Sequence, residues 1–370
     1  MPKRKFLNLV LSIWLAIAAL LIFSSCSKTP DYYGMVDFAT VQKIDTHVHV
    51  NSLDPAFVEQ AIEDNFRLLT INTDYPDFPP IEVQQKDAIT LQNKYPGRIA
   101  YASTFHMTGW DSPDWQEKTI AHLDSTFEQG AIAVKVWKNI GMAFRDKNGN
   151  LVMINNPKFD KIFDHLHEVN IPLIGHMGEP KNCWLPIEEM TVNNDKGYFK
   201  HHPQYHMFLH PEMPSYEEQM AVRDSMLEKH RDMVFMGAHL ASLEWSVDVL
   251  AKFLDHFPKA VVDMAARSGQ VQYQSSRDRE KVRQFFIKYQ DRILYATDIT
   301  QEPDVNPEEF RNEVHNKWVT DWKYMNTDST MQVPELDEPF QGLKLPRKVI
   351  DKVYRLNAEK TFPKAWKVKD

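Results

Sequence analysis

The sequence predicts an α/β fold, a (β/α)8 TIM barrel with a long loop insertion after its fifth strand. Eight short, β-rich apolar runs recur at 43–50, 67–72, 98–104, 131–137, 171–176, 232–238, 260–265 and 292–297, with helically spaced segments between them. The runs are mostly apolar on both faces, as in "AIAVKVW" and "AVVDMAA", which marks parallel strands covered by helices. The open, doubly wound alternative normally has a glycine-rich first turn, and "HVHVNSLDP" has no glycine.

The chain begins with a separate object. A basic "MPKRK" precedes the 18-residue apolar run "FLNLVLSIWLAIAALLIF", and "SSCSK" follows. This reads as an export signal. An uncleaved membrane anchor is the alternative, since about 18 apolar residues just span a bilayer. The small residues of "FSSC" tip the balance. They resemble a bacterial lipoprotein signal over residues 1–26, whose cleavage leaves a lipidated Cys26, although Phe23 stands where such signals more often have Leu. The expected location is outside the cytoplasm, in the periplasm or on the cell surface, with the protein tethered to the membrane at its N-terminus. Residues 27–41 then read as a linker and 42–370 as one domain. Cys183 is the only other cysteine, so a lipidated Cys26 leaves no intrachain disulfide, and Cys183 reads as a small buried hydrophobe.

Strand 1, "KIDTHVHV", alternates faces with period two, so Asp45, His47 and His49 should share one face. Polar groups in a row on a buried face need a metal, a ligand or a hydrogen-bond network to satisfy them. Helix starts are signalled by Asp54–Pro55, Ser112–Pro113 (with an end at Gly130), Asn156–Pro157 and Asn306–Pro307, and by a capping box at Ser215 and Glu218.

The C-terminal ends of the runs carry the chemistry. Strand 1 ends with His47 and His49, strand 4 with Lys135, strand 5 with His176, strand 6 with His239, strand 7 with Asp263 and Arg267, and strand 8 with Asp298. In a barrel these ends share one mouth. Imidazole with carboxylate suits zinc or another divalent transition metal. Such an ion lowers the pKa of coordinated water towards roughly 7, and Asp298 or His239 is placed to take the proton. Lys135 and Trp137 share a face by period two, which puts Lys138 on the other.

"DTHVH" on strand 1, "GH" on strand 5, "AH" on strand 6 and "ATD" on strand 8 resemble, in this order and spacing, the amidohydrolase superfamily of metal-dependent barrel hydrolases. The resemblance covers about residues 40–365 and is closest to the amidohydrolase-related branch, "family 2", which also holds decarboxylases of aromatic acids. It implies that His47, His49, His176 and Asp298 are metal ligands, and that His239 binds a second metal or activates water. It also implies one zinc-like ion, or two if Lys135 is carboxylated and bridges them. Otherwise Lys135 is a cation facing a substrate carboxylate.

The remaining positions keep two readings each. Asp45 belongs to the histidine face of the site or only orients its neighbours, Asp263 is structural or functional, and Arg267 clamps an anionic substrate or forms a surface ion pair. The stretch 177–214 is long for a βα loop and gathers Trp184, Tyr198, His201, His202, Tyr205, His206 and His210. It is an aromatic wall over the mouth, with Trp184 and Trp137 touching substrate, or an excursion packed on the barrel's side. The net charge of −8 argues against a nucleic-acid partner. The expected partner is a small-molecule substrate. The leading function is metal-dependent hydrolysis of an amide, ester or lactone. A metal-dependent decarboxylase or lyase on the same barrel is the alternative, and a non-catalytic ligand-binding lipoprotein is the alternative of another class.

Overall fold

The eight apolar runs become eight parallel strands in the computed structural model, which describes residues 31–367. The export signal, Cys26 and residues 27–30 lie outside the described residues. The strands are β1 (Lys43–Val50), β2 (Phe66–Ile71), β3 (Ile99–Ala102), β4 (Val134–Val136), β5 (Leu173–Gly175), β6 (Phe235–Gly237), β7 (Ala260–Asp263) and β8 (Ile293–Leu294). Sequence neighbours pair in parallel within two arcs, β1 to β3 and β4 to β8. Two seams join the arcs into a ring. Between β3 and β4, Ser103 N donates to Ala133 O at 2.9 Å and Lys135 N to Ser103 O at 2.7 Å. Between β8 and β1, Thr46 N donates to Tyr295 O at 3.1 Å and Asp298 N to His47 O at 2.9 Å. A short β9 (Thr300–Gln301) continues this second seam beside His49 and Val50.

Strands buried on both faces serve two cores. Outward residues such as Val48, Leu68, Val134, Phe235 and Val262 pack under the helices. Inward residues, among them Ile44, Ala100, Ala133, Ile174, Met236 and Leu294, fill the barrel together with Phe362 and Trp366. Trp366 Nε1 donates to Leu68 O at 2.9 Å, so the C-terminal segment plugs the floor. The helices are α1 (Ala56–Glu63), α2 (Ile81–Lys94), α3 (Trp115–Glu128), α4 (Asp160–Glu168), α5 (Asn193–His201), α6 (Tyr216–Lys229), α7 (Val247–His256), α8 (Ser268–Lys288) and α9 (Pro307–Asn326). Short helical turns follow between residues 347 and 361.

Most helix starts fall where the sequence places them. Asn306 Oδ1 accepts from Glu308 N and Glu309 N, and the Ser215–Glu218 capping box forms in full. Asn156 caps a 3-10 turn that leads into α4, and Asp54 Oδ1 accepts from Ala56 N at 2.9 Å. Ser112–Pro113 is an exception. There the Ser112 hydroxyl bonds Asp114, its carbonyl accepts from Trp115 N, and α3 begins only at Trp115.

Strand β1 is not regular. Asp45 faces Leu68 but Val48 faces Thr70, so three residues on β1 span two on β2. This is a bulge, and it shifts the alternation by one. Ile44 consequently lies inside the barrel. Asp45 turns outward to accept from Trp318 Nε1 of α9 at 3.0 Å and from Thr297 Oγ1 at 2.7 Å. Asp45 therefore does not share a face with His47 and His49. Within the stretch read as linker, Phe38 is buried, Tyr33 Oη donates to Asp351 Oδ1 at 2.8 Å, and Gly34 O accepts from Trp322 Nε1 at 3.0 Å.

Candidate metal centre

Past the bulge, β1 directs His47 and His49 into the barrel mouth. His47 Nδ1 lies 2.8 Å from Asp263 Oδ2, and His49 Nδ1 lies 2.7 Å from Ile71 O. A carboxylate and a carbonyl only accept, so each Nδ1 carries the proton and each Nε2 keeps its lone pair. Those Nε2 atoms lie 3.3 and 3.4 Å from Asp298 Oδ1. The ligand atoms of His47, His49 and Asp298 all fall within 4.8 Å of one another.

The same logic extends to β5 and β6. His239 Nδ1 donates to Ala265 O at 2.9 Å, so its Nε2 accepts, and the atom it accepts from is His176 Nδ1 at 3.1 Å. That leaves His176 Nε2 with a lone pair that is buried and has no hydrogen-bond partner. His176 reaches the triad through His239, whose ring centroid lies 4.1 Å from that of His176 and 5.0 Å from that of His47. Converging neutral imidazole lone pairs, one carboxylate and one orphaned buried nitrogen fit a divalent transition metal.

Burial and neighbouring groups favour neutral His47, His176 and His239 and an ionised Asp298. Burial lowers the His47 imidazole, with Lys135 adding to the effect. Burial and the neighbouring His239 push His176 well below its ordinary value, and burial takes His239 down to about 3. Burial alone would raise the Asp298 carboxyl, but His239, His47 and His49 outweigh it and hold the group well below the usual carboxylate range. Asp263 follows the same pattern, with His47 overcoming the effect of burial. Lys135 Nζ, 3.2 Å from His47 Nε2, is lowered by burial to about 8.

Unusual backbone places two of these groups. Asp298 has φ +69°, and His239, Leu240, Ala241 and Ser242 form a left-handed turn with φ between +55° and +57°. Such residues cost about 1–2 kcal/mol each. The turn is held by His239 N donating to Asp263 Oδ1 at 2.7 Å, by Tyr216 Oη donating to Ser242 O at 2.6 Å, and by the Arg223 guanidinium on Ala241 O. One carboxylate, Asp263, thus fixes both the His47 ring and the His239 backbone.

A family model described as amidohydrolase matches residues 44–364. The chain belongs to the amidohydrolase family. Two crystal structures of 2,6-dihydroxybenzoate decarboxylase, one from Rhizobium and one complexed with 2,6-dihydroxybenzoate, are each 12% identical to it. Each covers 87% of this chain and 98% of its own, with a TM-score of 0.51. An uncharacterised TIM-barrel protein from Bordetella bronchiseptica is 11% identical over 88% of this chain and 100% of its own, with a TM-score of 0.49. No curated protein matches this sequence. The likeness to the two decarboxylase structures shows the barrel fold alone.

In this amidohydrolase, His176, His239 and Asp298 line a two-lobed cavity together with Lys138 and Tyr198. One lobe, about 380 Å³, is walled by Glu179, Asp195, Phe199 and Arg267. The other, about 320 Å³, is walled by Tyr75, Phe78 and Trp137 together with His49 and Lys135. Arg267 is 8% exposed, its Nε is buried without a partner, and its one side-chain hydrogen bond among the described residues is Nη1 to Ala266 O at 3.0 Å.

The cavity corrects two expectations. Lys138 is not on the opposite face. β4 ends at Val136, so alternation lapses there, and Lys138 turns into the mouth to pair with Glu179. Trp184 does not line the cavity. Its Nε1 donates to Pro214 O at 3.1 Å and its ring meets Tyr216 at 5.5 Å, inside the body of the loop. The loop supplies both of the alternatives read for it. Tyr198 and Phe199 of α5 face the cavity, whereas His201, His202, His206 and His210 bond local carbonyls. Cys183 is buried, and burial raises its thiol. Glu179, Asp195, Tyr75 and Phe78 escaped the sequence reading. Only Glu179, three residues after His176 in "GHMGEP", carried a positional hint.

Proposed function

We propose that this amidohydrolase is a metal-dependent hydrolase that cleaves an amide, ester or lactone bond in a small molecule bearing a carboxylate. The observation that carries the reading is the convergence of His47 Nε2, His49 Nε2 and Asp298 Oδ1, with Asp298 lining a cavity lobe shared with Arg267, whose Nε has no partner among the described residues. A divalent ion held there, for which zinc fits the donors, supplies Lewis acidity and brings the pKa of a nearby water towards roughly 7.

The chain's own groups divide the remaining work. His47, His49 and Asp298 hold the ion, and His176 offers its free Nε2. Asp298 is ionised and 28% exposed at the side chain, so its second oxygen can take a proton from water and return it to the leaving group. His239 has Nε2 engaged by His176 and orients that ring, although it faces the same cavity. Arg267 binds the substrate carboxylate and Trp137 packs on its body. Lys135 either carries a carboxylate bridging a second ion or remains a cation.

Decarboxylation is the second reading, because Arg267, which forms no ion pair among the described residues, lines the same lobe as Asp298 and is placed to hold a substrate carboxylate there. The test is metal content with turnover of carboxylated amides, esters and lactones, in the parent and in His47→Ala and Asp298→Asn. Full turnover in both variants removes the metal reading, and release of CO2 without a hydrolysed bond replaces the hydrolase with the decarboxylase. We also propose that residues 1–26 export the chain and leave it lipidated at Cys26. Palmitate label that persists in Cys26→Ala would refute this.

A further inference from the structure

One segment of the barrel floor, away from His47, His49 and Asp298, differs in charge from the rest of the chain. The whole chain has a net charge of −8, yet residues 344–367 hold eight Lys or Arg and two Asp or Glu. This segment runs beneath the barrel. Lys352 pairs with Asp291 just before β8, Lys364 Nζ lies 3.5 Å from Val169 O at the foot of α4, and Trp366 closes the inner core. Lys348, Lys360, Lys364 and Lys367 are exposed, and none forms an ion pair among the described residues.

An apolar patch adjoins the basic segment. Tyr32, Met35 and Val36 are 40%, 39% and 90% exposed. Arg347 lies 4.0 Å over the Tyr33 ring and Lys344 lies 6.0 Å from that of Tyr32, so the patch adjoins the start of the basic segment. Cys26 precedes Tyr32 by six residues, a stretch that reaches at most about 20 Å.

We propose that this floor rests on an anionic phospholipid bilayer. The lysines face the headgroups, and Met35, Val36 and Tyr32 enter the interface. The active-site mouth then opens away from the membrane. The short tether rests on the export reading, whereas the docking surface does not require Cys26.

The test uses the chain from residue 27, which keeps the compact unit Tyr32–Asp370 and lacks Cys26, so binding cannot come from a lipid anchor. Co-sedimentation at low salt compares vesicles containing phosphatidylglycerol with vesicles of phosphatidylcholine alone. Each surface lysine contributes about fivefold near an anionic membrane. We expect binding to the anionic vesicles that falls at least roughly tenfold in the triple variant Lys360→Glu, Lys364→Glu, Lys367→Glu, and that falls also in Val36→Asp. These side chains are exposed, and an unchanged circular dichroism melt verifies folding. Equal binding to both vesicle types, or binding indifferent to charge reversal, overturns the proposal. So does a dimer, seen by light scattering, that Val36→Asp dissociates while no vesicles are bound. Palmitate labelling at Cys26 without vesicle binding by the soluble chain rejects the docking surface and spares the tether.

Discussion

Asp263→Asn is the most discriminating perturbation of the candidate centre. Asp263 is fully buried and its two oxygens do different work. Oδ1 accepts from His239 N at 2.7 Å and Ala265 N at 3.1 Å, while Oδ2 accepts from His47 Nδ1 at 2.8 Å. An asparagine retains one acceptor, which the two backbone donors claim, and its amide NH2 then faces His47 Nδ1. A donor there forces His47 Nδ1 to accept, so the ring proton moves to Nε2. The lone pair that points towards Asp298 is lost. Outer-shell changes of this kind cost about 10–100-fold in metal affinity, or roughly 1.4–2.7 kcal/mol. The fold keeps its backbone bonds and should lose only about 1–3 kcal/mol. Competition with a chromogenic chelator measures the affinity, and a urea melt measures the stability. Wild-type affinity in a folded Asp263→Asn protein would refute the tautomer argument.

Other outcomes follow from the same geometry. Arg267→Met should raise KM for a carboxylated substrate by about tenfold or more while leaving metal content unchanged, since Arg267 touches neither His47, His49 nor Asp298. A parallel loss of metal would contradict its assignment to substrate. Burial raises the Glu244 carboxyl to about 7. Between about pH 4.5 and 7 the unfolded state ionises first, so the folded protein binds more protons and its stability falls as pH rises. Glu244→Gln should remove that slope and gain on the parent by up to about 3 kcal/mol between pH 5 and pH 7. Identical profiles from urea melts at the two pH values would exclude a raised Glu244. Ser215→Ala, which opens the capping box of α6, should cost about 1 kcal/mol in the same melts.

The strands were legible because parallel strands buried on both faces must be apolar, and the mouth because runs 1, 5, 6 and 8 end in histidine or aspartate, groups suited to a metal. The bulge at residues 45–48 was not legible. One extra residue has no compositional signature, and period two therefore put Asp45 beside the histidines it turns away from. The left-handed turn at His239–Ser242 is equally silent, since none of its residues is glycine. Lys138 was missed because alternation was carried two residues beyond the end of β4. Asp263 was seen but its partner was not, as His47 lies 216 residues away in sequence. The loop's histidines gave no hint that local carbonyls engage them.

The seam between β8 and β1 has a consequence for how the molecule comes apart. It is held by Asp298 N on His47 O and by His49 N on Ile299 O at 2.9 Å each. The triad uses those same residues, so an ion bound by it clasps the first strand to the last. Metal removal should therefore act less on the barrel as a whole than on this one join. Amide hydrogen exchange should quicken first around residues 46–50 and 295–301, while β5 to β7 keep their protection. The ring would then open at its two ends of sequence, as a bracelet opens at its catch.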